Sequence, residues 1–412
     1  MKKSFLALLS IVLVLSCTPK EKSLQDGAWR IALDLGDGKI LPIQGSVLQG
    51  ELTLQNAEER ILIDEIIIRG DSITIQPPVY EGIFKGVFAK DGKSISGKFI
   101  KSSLERIVPF VMEYGEDTRF RESSSEIISG SNMTTVDISG AYETVFSADS
   151  PSERYIAKGI FNQVGNQVTG TFRTTTGDYR YLEGAMQGDS LKLSTFDGAH
   201  AFLFEAKVTD SILEGVFYSG NHFKEPFVAR LNNGYELPDA KDLTFLKEGY
   251  DTFTFEFPEA PGKRVSLNDD RFKGKVLIAQ IMGTWCPNCL DETKFYTDYV
   301  KKHPNTPVAF VGLAFEYAPN EEKAFASIKR LKDRLDVPYP ILLAQYGTSD
   351  KLKAAEKLPM LNHILSYPTS IFIDKEGTVR RIHTGYNGPA TGDKHLAYKK
   401  DFETFVAQLA SE

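Results

Sequence analysis

The sequence predicts a multidomain chain of 412 residues in which two tandem antiparallel all-β modules, each a small barrel or sandwich, precede an α/β domain. Three observations predict it. Residues 28–231 are dense in short segments of alternating polarity and carry no sustained helical period. The same motifs occur there twice, at a nearly constant spacing. Beyond about residue 253, apolar strand-like runs alternate with helical stretches, which is the pattern of an α/β unit.

At the N-terminus, Lys2 and Lys3 precede an apolar run over residues 5–15, followed by Val14-Leu15-Ser16-Cys17. Residues 1–16 read as a lipoprotein signal peptide, because the run is too short to span a bilayer and a small residue stands directly before a cysteine. Cys17 would then be the lipidated mature N-terminus, anchoring the chain to a membrane on the periplasmic side of a bacterial cell envelope. A plain signal peptide with an incidental Cys17 is the competing reading. The net charge of −7, from 48 basic and 55 acidic residues, gives no footprint for nucleic acid.

The first module is expected over residues 24–115 and the second over 136–231. Strand-like segments fall at 29–35, 61–68, 72–75 and 94–100, then at 155–161, 167–172, 190–193 and 212–218, with glycine-containing turns between them. Gly27-Ala28-Trp29 matches Gly140-Ala141-Tyr142, and Gly70-Asp71-Ser72-Ile73 matches Gly188-Asp189-Ser190-Leu191. Ile95-Ser96-Gly97-Lys98-Phe99 matches Leu213-Glu214-Gly215-Val216-Phe217, and Pro109-Phe110 matches Pro226-Phe227. The four spacings are 113, 118, 118 and 117 residues. Each copy has room for about eight short strands, and a meander of that size closes into a barrel filled by its own side chains. A structural, docking or dimerising role follows, with a small-ligand pocket as the alternative. His200 and His222 lack the clustered cysteines or carboxylates of a metal site. Residues 232–252 are polar, carry Gly234, Pro238 and Gly249, and read as a linker.

The α/β domain, residues 253–412, holds the chemistry. Three cysteines occur in the chain, and if Cys17 carries lipid only Cys286 and Cys289 remain, as one Cys-x-x-Cys. A strand over 276–282 runs into Gly283-Thr284-Trp285-Cys286-Pro287-Asn288-Cys289, and residues 290–302 can be helical. The first cysteine of such a turn stands at a helix N-terminus, where free amides and the dipole favour a thiolate. Cys286 is therefore the expected nucleophile and Cys289 the residue that resolves a mixed disulfide. Half of a zinc site and an inert disulfide are the competing readings. Zinc requires two further ligands, and a loop this small constrains an unfolded chain little.

Residues 250–412 resemble the thioredoxin-like family of membrane-anchored bacterial thiol-disulfide oxidoreductases, the TlpA and ResA type, over about two fifths of the chain. The resemblance rests on Phe272-Lys273-Gly274-Lys275, on Gly283 to Cys289, and on Ser366-Tyr367-Pro368-Thr369. It implies a thioredoxin fold and reduction of protein disulfides by the Cys286–Cys289 pair, which an upstream membrane dithiol donor regenerates with no soluble cofactor. It also implies a cis bond before Pro368 facing the cysteines, with the backbone of Tyr367 and Thr369 open to an extended substrate segment beside Trp285 and Pro287. Glu292 matches the family's glutamate that assists proton transfer, and a carboxylate partly buried near a thiol holds a raised pKa. Gln280 stands where thioredoxin carries a buried aspartate. Glu316, at the end of the next strand, is expected at the substrate groove. His363, His383 and His395 read as structural. The stripe Ala324, Ile328 and Leu331 faces the core. Two other functions stay open, a peroxiredoxin-like peroxidase and a lipoprotein whose β-modules bind a ligand or partner. Trp285 and the vicinal Cys289 argue against the peroxidase.

Overall fold

The computed structural model describes residues 22–120 and 136–412. The expected signal peptide over residues 1–16 and Cys17 lie outside the described residues. Among the described residues no helix is long and apolar enough to cross a membrane.

The first unit is a meander of β1 (Gly27–Asp34), β2 (Ile40–Leu48), β3 (Glu51–Asn56), β4 (Glu59–Ile63), β5 (Glu65–Arg69), β6 (Ser72–Gln76), β7 (Ile83–Phe88), β8 (Ser94–Lys101) and β9 (Arg106–Tyr114). The hydrogen-bonded order β4-β3-β2-β1-β9-β8-β7-β6-β5 leaves β4 and β5 at opposite edges, although only Asp64 separates them in the chain. The single strand expected over residues 61–68 is therefore divided, its first half pairing with β3 and its second with β6. The alternation shows why: Ile61 and Ile63 turn inward, then Ile66 and Ile68, so the phase slips by one residue at the bend.

The second unit comprises β10 (Gly140–Phe146), β11 (Tyr155–Val164), β12 (Gln167–Thr174), β13 (Leu182–Gln187), β14 (Ser190–Phe196), β15 (Ala201–Thr209), β16 (Ile212–Ser219) and β17 (Phe223–Leu231). It is a closed antiparallel barrel, with β10 bonded to β17. Counting β4 and β5 as one bent strand, the units have the same eight-strand order, and each repeated motif falls on equivalent strands. Gly97 and Gly215, equivalent in β8 and β16, show why the motif recurs. A Cβ at either would lie 2.0 Å from the Lys85 carbonyl oxygen or 2.3 Å from that of Glu205.

Aromatic side chains fill the second barrel. Phe204 packs 4.7 Å from Phe217 and 5.0 Å from Phe172, centroid to centroid, and Phe146 and Phe227 close the remainder. Each buried ring contributes about 1.5–3 kcal/mol of transfer free energy. The interior is a packed core, as the strand pattern implied.

The last unit is a five-stranded sheet with helices on its faces. Its elements are a hairpin of β18 (Glu256–Ala260) and β19 (Lys263–Ser266), then β20 (Val276–Met282), α1 (Pro287–Lys302), β21 (Val308–Phe315), α2 (Glu321–Leu335), β22 (Ile341–Gln345), α3 (Lys351–Lys357), β23 (Thr369–Ile373), β24 (Val379–Thr384) and α4 (Asp393–Ser411). The sheet order is β22-β21-β20-β23-β24, parallel on one side of β20 and antiparallel on the other. All seven residues of β20 are buried, as expected for a central strand covered on both faces. Helix α2 is capped by the Asn320 side chain and buries Ala324, Ile328 and Leu331.

Residues 232–252, expected as a linker, are docked. Lys247 N–H bonds the Met360 carbonyl, Phe245 N–H bonds Asn362 Oδ1, Thr384 N–H bonds the Ala240 carbonyl, and the Thr384 hydroxyl bonds that of Thr244. The segment's backbone, more than its side chains, makes these bonds to the last unit.

Candidate active site

Strand β20 carries the chain from the sheet into the turn before α1, and this brings both cysteines to the C-terminal edge of the central strands. Both are free thiols, with Cys286 6% exposed and Cys289 fully buried. Cys286 is the N-cap of α1 and Pro287 occupies its first turn, where a missing N–H costs nothing. The Cys289 N–H donates to Cys286 Sγ at 3.2 Å, and Cys286 Sγ–H points to the Tyr367 carbonyl at 3.3 Å. The peptide bond between Tyr367 and Pro368 is cis.

Behind Cys289 lies a buried polar floor. Glu292, one helical turn further along α1, accepts from Gln280 Nε2 at 2.9 Å and lies 3.0 and 3.2 Å from the hydroxyls of Tyr296 and Tyr398. The Thr293 hydroxyl donates to Gln280 Oε1 at 3.1 Å, which orients the Gln280 amide so that it also reaches the Cys289 carbonyl at 3.3 Å. Burial pushes the Glu292 carboxyl up to about 7, against the lowering effect of these donors. Burial, the hydrogen bond with Cys286 and the nearby Glu292 together raise the Cys289 thiol well above its ordinary value.

On the other side of the turn, Trp285 Nε1 donates to the Phe315 carbonyl at 2.9 Å, and its ring meets Tyr367 edge-on at 5.5 Å. Glu316 was expected to line an open groove. It is buried, and its two oxygens take the Thr284 N–H at 2.8 Å and the Thr284 hydroxyl at 2.7 Å, so it pins the turn that presents Trp285 and Cys286. Burial raises its carboxyl to about 7 as well.

Thr369 also differs from expectation. Its backbone lies between Ile281 of β20 and Thr384 of β24, and its hydroxyl bonds the Ser366 carbonyl at 2.9 Å, so it is interior and not open to an incoming strand. Tyr367 stays at the dithiol. His363 is exposed, whereas His383 is buried with Nδ1 3.1 Å from the Gly385 carbonyl oxygen. Burial lowers His383 to about 4, so it stays neutral.

Sequence reasoning missed Thr284, Tyr296, Tyr398 and Ser366. Tyr296 had a usable signal, because it stands four residues after Glu292 on one helix face. Tyr398 had none, since it reaches Glu292 from 106 residues away.

The Redoxin family model matches residues 233–398. The chain is 26% identical over 153 residues to the thioredoxin-like protein YneN of Bacillus subtilis, a match covering 37% of this chain and 80% of that one. It is 25% identical over 149 residues to the thiol-disulfide oxidoreductase ResA of Bacillus thuringiensis subsp. konkukian, covering 36% and 74%. A crystal structure of a thioredoxin-family thiol:disulfide interchange protein from Chlorobium tepidum overlaps 40% of this chain and 98% of its own, at 24% identity and a TM-score of 0.30. The C-terminal region of the chain is thus a Redoxin domain, similar in sequence to thiol-disulfide oxidoreductases and their thioredoxin-like relatives.

Proposed function

We propose that the chain is an extracytoplasmic, lipid-anchored thiol-disulfide oxidoreductase that reduces protein disulfides through Cys286 and Cys289. The observation that carries this reading is the pairing of a sulfur at a helix N-cap with a second, buried thiol backed by a buried glutamate. A helix N-terminus stabilises negative charge, which suits Cys286 to act as thiolate.

In the forward reaction the Cys286 thiolate attacks one sulfur of a substrate disulfide. That S–S bond breaks, the departing substrate sulfur takes up a proton, and a mixed disulfide with Cys286 remains. Cys289, kept protonated by burial, passes its proton toward the Glu292 carboxylate and attacks Cys286 Sγ. The second substrate sulfur leaves as thiolate and is protonated. Two electrons have moved to the substrate, and Cys286–Cys289 ends as a disulfide. An upstream membrane dithiol donor returns it to the dithiol by the same exchange, so no soluble cofactor takes part. Glu292, with a pKa near the working pH, is suited to carry the proton in both directions.

In this reading Trp285, Pro287 and Tyr367 form the rim that a substrate meets, Pro368 shapes it, and Glu316 and Thr369 hold it from beneath. The anchor at Cys17 and the signal over residues 1–16 place the domain at the periplasmic face of a membrane. The test is reduction of insulin disulfides by the reduced full-length protein, run beside hydrogen peroxide consumption. Insulin reduction that disappears in Cys286→Ser supports the reading; faster peroxide consumption with no disulfide reduction would replace it by a peroxidase.

A further inference from the structure

The reacting sulfur is covered, and the cover comes from the two β units of the same chain. The connection between β12 and β13, residues 175–181, lies against the dithiol face. The Ser366 hydroxyl donates to the Thr176 carbonyl at 2.7 Å, directly before the Tyr367–Pro368 bond. Asn288 Nδ2, inside the Cys-x-x-Cys, donates to the Asp178 carbonyl at 3.2 Å, and the Gly388 N–H donates to Asp178 Oδ2 at 2.6 Å. The approach is close enough that a Cβ at Gly177 would stand 2.0 Å from Asn288 Nδ2.

Arg180 ties this loop to all three units. From the second unit it reaches the Pro287 carbonyl at 3.3 Å and Asp291 at 2.5 Å in α1, and it pairs with Glu59 in the first unit. Its φ of 59° is unusual for a long side chain, a conformation that persists only where surrounding contacts impose it. A second loop, residues 77–82 of the first unit, brings Val79 and Tyr80 into the apolar cluster that contains Cys286. Arg330 of α2 holds that loop through the Pro77 carbonyl, while Arg330 and Arg334 clamp Asp64 and Glu65 at the bend between β4 and β5.

The cover joins these polar contacts to the apolar packing of Val79 and Tyr80, and its polar groups are incompletely satisfied. Among the described residues, Tyr80 Oη, Tyr367 Oη and Asn288 Oδ1 are buried without a hydrogen-bond partner, all three around the dithiol. Each such group is penalised in a closed interface and relieved once water or another chain reaches it. Interfaces of this polar kind between domains open and close.

Building on the proposed disulfide reductase activity, we infer that residues 175–181 occupy the docking path of an extended segment of a protein substrate, so that the structure is a self-covered form of the enzyme. Ser366, Asn288 and Gly388 are the polar groups along that path. They grip main-chain and carboxylate oxygens of the chain's own loop, and a substrate must displace the loop to present its disulfide to Cys286.

Iodoacetamide alkylation of the reduced full-length protein, followed at the peptide containing Cys286, reads the cover without calling on catalysis. Asp178→Ala removes the acceptor for the Gly388 N–H, and the alkylation rate should rise tenfold or more. A folded Asp178→Ala protein alkylated at the wild-type rate overturns the inference. Hydrogen exchange in Cys289→Ser, trapped as a mixed disulfide with an insulin chain, is the second arm. Residues 175–181 and the Gly388 amide should exchange at least tenfold faster than in the free protein; unchanged protection there overturns the inference even where Asp178→Ala does not fold. Faster alkylation with no disulfide reduced by any variant would remove the proposed activity and leave the cover standing.

Discussion

The floor beneath Cys289 and the wall beside Trp285 each hold one glutamate, and the two are nearly matched in environment. Glu292 and Glu316 are both fully buried, and burial is the first cause that lifts each to about 7. Their partners differ. Glu316 spends both oxygens on a single residue, Thr284, which fixes a turn. Glu292 is held by an amide and two phenols that reach it from three elements, and it lies close enough to Cys289 to raise that thiol. In the proposed mechanism, equal burial thus serves a positioning group in one place and a proton carrier in the other. The neighbours, and not the pKa, separate the roles.

The largest expected effect tests the division of labour between the sulfurs, on which the comparison rests. Cys286→Ser should abolish insulin reduction, at least a thousandfold, whereas Cys289→Ser should accumulate a mixed disulfide seen as a mass adduct. An adduct on Cys289 in Cys286→Ser would reverse the assignment. Next is Glu292→Gln, expected to slow the resolving step about 10²-fold, the usual scale for general acid–base help. Its pH–rate profile should lose the inflection near pH 7, and a retained inflection would hand the proton to another group. Glu316→Gln should leave that inflection in place and lower the rate about three- to tenfold, because the turn loosens while the proton route stays intact.

The smallest effect is on stability. Both carboxyls are raised from 4.5 in the unfolded chain to about 7 in the folded one, so the native state binds protons more tightly. Stability should be greatest at low pH with respect to these groups, fall between about pH 4.5 and about pH 7, and level off above. Trp29 and Trp285 are the two tryptophans, so a Trp29→Phe background leaves Trp285 to report urea unfolding of the Redoxin domain. Glu292→Gln and Glu316→Gln should each flatten part of the decline in the urea midpoint between pH 5 and pH 8. A wild-type midpoint that rises over that interval would contradict both assignments.

Much of the fold was legible because it is written in local pattern. The 113- to 118-residue repeat marked two copies of one meander, and the stripe Ala324, Ile328 and Leu331 marked the buried face of α2. Cys286 and Cys289 needed only their own spacing and the strand before them. The bend at Asp64 was also present, as a slip in the isoleucine phase, although an uninterrupted apolar run concealed it. The docking of segment 232–252 was not legible, because backbone groups make most of its bonds to the last unit and composition does not record them.

What the sequence by itself determined is chemistry that lies within one turn of helix or one strand: a thiol at a helix start, its partner three residues on, and alternating faces that build two antiparallel meanders. Only the tertiary structure decided which groups surround that sulfur. Arg180 meets Pro287 across 107 residues, Thr176 meets Ser366 across 190, and Asp178 meets Gly388 across 210. Periodicity records which way a side chain faces relative to its own element, and it carries no information about which distant loop comes to rest against it.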